Sequence, residues 1–182
     1  MSLNLSDVTK EEIAYVTKAN SLIQVNKYIG ANAGKSLTLL EAKLIAFGLS
    51  LLDTKAEHLH PVEFTVVDFW KSCGVSARGK KYYTMIADVL QSIRDRSAWM
   101  LKPSANPRRQ EAVLVSWVLK AKILDDKRTC YVEFDSDLEP VLLSLKSNYT
   151  RYPRNEVMRL KSKYGFYLYE LLRSCENQSN SF

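Results

Sequence analysis

Residues 66–95 read VVDFWKSCGVSARGKKYYTMIADVLQSIRD, and the fold turns on this stretch. Val66 to Ser72 predicts a brief helix. Gly74 then takes the position just past a helix end, where a left-handed residue is wanted. Residues 75–79 form a tight connection. Lys80 to Asp95 predicts a longer helix, because Tyr83, Ile86, Val89, Leu90 and Ile93 recur at spacings of three and four and make one apolar stripe. Lys80, Lys81, Thr84, Asp88 and Gln91 fall on its other faces.

Downstream the period changes. Ser97 to Lys102 predicts a strand, residues 103–109 a loop, and Ala112 to Ile123 a long strand. Residues 125–128 turn into a further strand, Thr129 to Phe134. Asp137 caps a helix from Leu138 to Lys146, with Val141, Leu142 and Leu145 inward. Tyr149 to Tyr152 is extended. Pro153 to Lys161 and Ser162 to Cys175 make two helices or one bent helix. Upstream, Leu37 to Leu52 predicts a helix through Leu37, Leu40, Leu44, Phe47 and Leu51. Thr38 and Glu41 stand three apart as a capping box. Ser21 to Ile29 alternates and reads as a strand or extended arm. Residues 1–20 read as a partly ordered N-terminal arm and 177–182 as a frayed tail. The expectation is one α+β domain over 21–176, helix-rich with a small antiparallel sheet. A short helix, a tight turn, a longer helix and a β-hairpin make the winged-helix form of helix-turn-helix.

Composition is that of a globular protein, with 46% hydrophobic and 25% charged residues in 182. No run of 18 apolar residues exists, so no membrane helix is expected. The N-terminus lacks the pattern of a secretory signal, which leaves the bacterial cytoplasm as the expected compartment. Cys73, Cys130 and Cys175 are odd in number and widely spaced. They suggest packing or surface thiols rather than a disulfide framework or a zinc site. No cofactor or metal is expected.

The net charge is +6, but its distribution says more. Residues 71–109 hold nine basic and two acidic side chains, and residues 146–173 hold seven and two. Such blocks attract a polyanion. In a winged helix the longer helix can enter the major groove and the hairpin tip can reach adjoining backbone. Arg78, Lys80 and Lys81 stand at the N-terminal end of that helix, where free N–H groups and the helix dipole also favour phosphate. Lys71 ends the helper helix, Thr84 lies one turn further along, and Arg108 and Arg109 occupy the expected wing tip. The candidate DNA contacts are therefore Lys71, Arg78, Lys80, Lys81, Thr84, Arg108 and Arg109. No catalytic residue is assigned.

Three further segments carry a resemblance. Leu160 to Leu172 (LKSKYGFYLYELL) matches a distinctive family segment. Leu37 to Leu44 is similar to the family's opening helix, and Tyr131 to Phe134 followed by Leu138 to Leu142 to its strand-then-helix unit. In this order and spacing, over about residues 20–175, the chain resembles the initiator proteins of theta-replicating, iteron-type plasmids. The resemblance implies two tandem winged-helix domains that bind origin repeats. Monomers open the origin, and dimers repress the initiator's own gene. On this resemblance the chain corresponds to the first domain, with the second absent. The first domain contributes to the homodimer and contacts DNA backbone, and host replication proteins are further partners. The resemblance also places Lys161 and Lys163 in a basic segment able to add backbone contacts. It makes Phe166, Leu168, Leu171 and Leu172 core or dimer residues.

Two motifs point elsewhere. Residues 30–36 (GANAGKS) resemble a phosphate-binding loop, but three residues separate the glycines where the motif needs four. His58-Leu59-His60 resembles the metal-binding pair of rolling-circle nickases, but it lies in a polar loop before Pro61 rather than in an apolar strand. A different class stays open: a winged helix that dimerises or binds proteins and hardly touches DNA.

Overall fold

The computed structural model describes residues 13–24, 37–77, 79–102, 111–124 and 128–176. In chain order these hold β1 (Tyr15–Ala19), α1 (Asn20–Ile23), α2 (Leu39–Leu49), β2 (Val62–Thr65), α3 (Val66–Ser72), α4 (Lys80–Arg94), β3 (Ser97–Lys102), β4 (Glu111–Ser116), β5 (Val118–Leu124) and β6 (Thr129–Phe134). A 3-10 turn (Ser136–Leu138), α5 (Glu139–Leu142), β7 (Tyr149–Pro153), α6 (Arg154–Met158) and α7 (Lys163–Glu176) follow.

Helix α2 is the hub. Every residue from Glu41 to Leu49 is buried, as in a helix that is apolar all round and wrapped by its neighbours. Its capping box forms as read: the Thr38 hydroxyl accepts from the Glu41 amide, and the Glu41 carboxylate accepts from the Thr38 amide at 2.6 Å. Gly48 is needed for packing, since a Cβ there would meet the Phe134 ring at 2.9 Å. Against this hub lie α3 and α4 and an antiparallel sheet ordered β2-β6-β5. Val62 stands opposite Val132, and Val118 opposite Phe134. Strand β6 alternates, with Cys130, Val132 and Phe134 inward, as a half-buried strand should. A run of edge-to-face rings ties the layers: Phe64 on Phe47, Phe47 on Phe69, Phe69 on Trp70 and Trp70 on Tyr82, with centroids 5.2–5.5 Å apart.

Several expectations need correction. The long strand Ala112 to Ile123 is two strands. They break at the buried Trp117 and join different sheets, β4 pairing with β3 and β5 with β6. The alternation slips there, with Val115, Trp117 and the adjacent Val118 all buried. Ser21 to Ile23 is helical rather than extended, and Tyr15–Ala19, read as part of a loose arm, is a strand paired with β7 with Val16 and Ala19 buried. The helix expected from Leu138 to Lys146 ends at Leu142. Ser144 there has a φ of 51°, a left-handed conformation no helix continues through. The two final helices are separate. The rest of the Ser21 to Ile29 arm, the glycine loop at 30–36 and the tail at 177–182 lie outside the described residues.

Candidate nucleic-acid interface

The site is built on the pair α3 and α4. Thr65 starts α3 by accepting from the Asp68 amide at 3.0 Å. Gly74 (φ 75°) and Gly79 (φ 94°) make the connection, both in conformations that favour glycine. The Trp70 indole N–H donates to the Tyr82 carbonyl at 3.4 Å and its ring packs on Tyr82, so α3 holds the first turn of α4. Ile86, Leu90 and Ile93 anchor the buried side of α4. The opposite side, with Lys80, Lys81, Thr84, Asp88 and Gln91, is exposed.

The far end of α4 is pinned by one carboxylate. Glu41 accepts from the Ser92 hydroxyl at 2.5 Å and pairs with the Arg96 guanidinium at 3.1 Å, with only 3% of its side chain exposed. Burial pushes this carboxyl up. The Ser92 hydroxyl, the Thr38 amide and Arg96 outweigh that and hold it below the ordinary carboxylate value. Sequence reading found Glu41 only as a capping residue; its partners lie 51 and 55 positions away, beyond the reach of any local pattern.

At the first turn of α4 the field is positive. The turn contains no acidic residue, and Gly79 offers no side-chain cap to the early N–H groups. Lys71, Lys80 and Lys81 are exposed, and among the described residues none of them joins an ion pair. Lys71 stands at the other end of the α3–α4 connection.

Arg128 is the member that sequence reading missed. It sits between β5 and β6 at a φ of 53°. Its guanidinium lies over the Tyr83 ring of α4 at 4.9 Å, and its carbonyl accepts from the Val66 amide at the start of α3 at 3.1 Å. One residue therefore links α3, α4 and the β5–β6 connection. This also relocates the wing. The sheet that includes β2 continues into the β5–β6 hairpin. The expected wing, between β3 and β4, belongs to a separate two-stranded ribbon that leaves the opposite end of α4 and packs on α1. The signal in the sequence is the turn at 125–128, which ends on Arg128.

The Trp70–Tyr82 contact sets the end of α3 that carries Lys71 against the first turn of α4, which carries Lys80 and Lys81 with Thr84 next along it, and Arg128 lies over Tyr83 of the same helix. Arg78, Arg108 and Arg109 lie outside the described residues. Lys161 is exposed, and the Lys163 ammonium lies 5.1 Å from the Tyr164 ring centre at the start of α7, a helix packed on β7, α1 and α2 rather than on the first turn of α4. Within α7, Phe166 is core, whereas Leu168, Leu171 and Leu172 are exposed. His58 and His60 lie on the surface loop before β2, with His58 Nδ1 3.5 Å from Glu139. Among the described residues no three His, Cys, Asp or Glu side chains gather as a metal site. No helix among them is long and apolar enough to cross a membrane. Cys130 is buried in β6, and burial pushes its thiol up to about 12.

Comparison with known proteins gives the same fold. The chain aligns with a solved structure of the Pi initiator protein in complex with iteron DNA, at a TM-score of 0.67 and 16% identity over 88% of this chain. It spans 64% of that protein's chain. A second solved structure is the MSBI1.176 WH1 domain, a replication protein isolated from a multiple sclerosis patient. It aligns with 18% identity over 66% of this chain and 86% of that one, at a TM-score of 0.44. No curated protein sequence matches. The family model for the initiator replication protein, WH1, matches residues 15–173. Nearly all of the described fold falls within that match, and the chain belongs to the initiator replication protein WH1 family.

Proposed function

We propose that this domain binds the duplex repeats of a plasmid replication origin through the first turn of α4, with the β5–β6 connection as its wing. The observation that carries the reading is the set of outward cations gathered there: Lys71, Lys80, Lys81 and Arg128, with the helix N-terminus among them and no carboxylate in its first turn. Backbone N–H groups and lysines recognise phosphate, which fixes position without reading sequence. Thr84 lies one turn further along the exposed face, where it can reach a base edge. Arg78 precedes the same turn in sequence, and Arg108, Arg109, Lys161 and Lys163 would add backbone contacts. The DNA in the solved Pi initiator complex is that protein's ligand and supports the reading by analogy.

A second role, in homodimer formation and through it autoregulation, is favoured by one feature. Strand β5 is an edge of its sheet, and Leu119, Ile123 and Leu124 on it are 37–53% exposed. Unpaired edges with apolar side chains invite pairing with a second copy.

Binding of an origin-repeat duplex and a scrambled duplex, each across a salt series, tests the first role. Binding of both, with affinity falling steeply as salt rises, is expected of a phosphate-dominated contact. Dimers on sizing with no salt-dependent duplex affinity would leave only the second role.

A further inference from the structure

A second basic surface lies away from α4. The ribbon β1–β7 has two faces. Val16, Lys18, Thr150 and Tyr152 point inward and are buried. The alternate residues Tyr15, Thr17, Tyr149 and Arg151 face outward and floor an open groove of about 820 Å³. Its walls carry Lys55 and Lys146, both exposed. The walls are fixed to each other, because the Ser144 amide donates to the Thr54 carbonyl at 2.9 Å. Among the described residues every charged side chain lining the groove is basic, and Lys55, Lys146 and Arg151 join no ion pair. Asp53, beside Thr54 in the wall, accepts from the Lys55 amide at 3.0 Å. The Arg151 Cζ lies over the Tyr15 ring, 4.2 Å from its centroid, so one planar cation already sits on the floor.

We propose that this groove binds a single strand of nucleic acid. Lys55, Lys146 and Arg151 hold the backbone, and unpaired bases stack on the outer face of the Arg151 guanidinium and on the tyrosines of the ribbon. A charged groove with aromatic and guanidinium faces on its floor is the combination that single strands use. A duplex keeps its bases stacked inside and offers nothing for such a floor. An acidic peptide would use the charges and leave the planar faces without a partner. The inference is independent of the α4 reading, since the two surfaces share no residue.

The test uses a labelled oligo(dT) of about 15 nucleotides and a mixed-sequence duplex against the whole chain. The Lys55→Glu, Lys146→Glu, Arg151→Glu triple variant should lose at least about tenfold in oligo(dT) affinity and stay within about twofold on the duplex. Lys80→Ala with Lys81→Ala should do the reverse. Tyr15→Leu should weaken oligo(dT) by roughly fivefold or more with an unchanged salt slope, because stacking rather than charge is removed. Should the triple variant melt early, the loop pair Lys55→Glu, Lys146→Glu gives the same contrast without touching the ribbon. The proposal is overturned by a wild-type chain that does not bind oligo(dT). It is equally overturned by groove variants that lose duplex and oligo(dT) alike, by a Tyr15→Leu chain that binds as wild type, or by a polyglutamate peptide that displaces oligo(dT) at equal charge.

Discussion

The first turn of α4 and the junction of β1, β7 and α7 both draw on basic residues, and they use them in opposite ways. At α4 the lysines face solvent, and no carboxylate stands in the turn. At the junction, Lys18 is buried and its ammonium lies 2.5 Å from Glu170, which also accepts from the Tyr152 hydroxyl. Burial, and then the Glu170 charge, push the Tyr152 phenol well above its usual range, so it remains a donor. Arg173 bonds Glu156 at 3.3 Å and Glu176 at 3.0 Å. A charge left unpaired in water is available to a ligand, whereas a charge paired inside the protein is committed to the fold. The difference teaches that a count of cations along a chain measures attraction only after the internally neutralised ones are removed.

The comparison breaks most visibly at the junction. Glu170→Ala leaves Lys18 buried without its partner. It should cost about 3–5 kcal/mol in urea unfolding, while the fraction still folded keeps its duplex affinity. Replacing Lys18 and Glu170 together by methionine should recover much of that loss, since no orphan charge remains. A single-variant cost near zero would show that water reaches the pair and that the contrast with α4 is false.

Glu41 stands between the two regimes, a paired carboxylate that places the exposed helix. Glu41→Gln keeps a capping acceptor but loses the charge facing Arg96, and should cost about 1–3 kcal/mol. The pH dependence follows from the direction of its shift. The native pKa is lowered, so its stabilisation is fully present above the ordinary carboxylate value and is lost as pH falls through the lowered native one. The wild type should therefore lose more stability on acidification than Glu41→Gln does. Parallel urea midpoints for the two proteins from neutral to acid pH would remove Glu41 from this role.

The smallest stability effect belongs to the exposed turn. Lys80→Ala should change unfolding free energy by no more than about 0.5 kcal/mol, because the residue is exposed. A larger loss in a thermal or urea melt would mean that Lys80 holds the fold and is not free for a ligand.

Much of this was readable from residues 66–95. The periodicity of α4, the glycines of the connection and the Thr38–Glu41 box are local signals, and each forms as read. What failed was non-local. The strand break at Trp117 and the pairing of β2 with β6 are set by which sheet has an open edge, and that decides which hairpin is the wing. Arg128 was passed over because its meaning comes from Tyr83 and Val66, brought to it by the fold. The second basic block divided in a way no count could show. Lys146 and Arg151 line a groove, Arg173 is paired, and Arg154 is tucked over the Phe47 ring at 4.4 Å. Strand β1 is not legible locally because its partner positions on β7 lie 130 to 138 residues away.

The central claim is that the exposed lysines at the start of α4 meet DNA phosphates. Duplex affinity should be followed across a salt series for the wild type and for Lys80→Ala with Lys81→Ala. If both lysines neutralise phosphates, the variant binds every sequence more weakly and its log–log salt slope is shallower by about two. Superimposable slopes in a folded variant would contradict the claim.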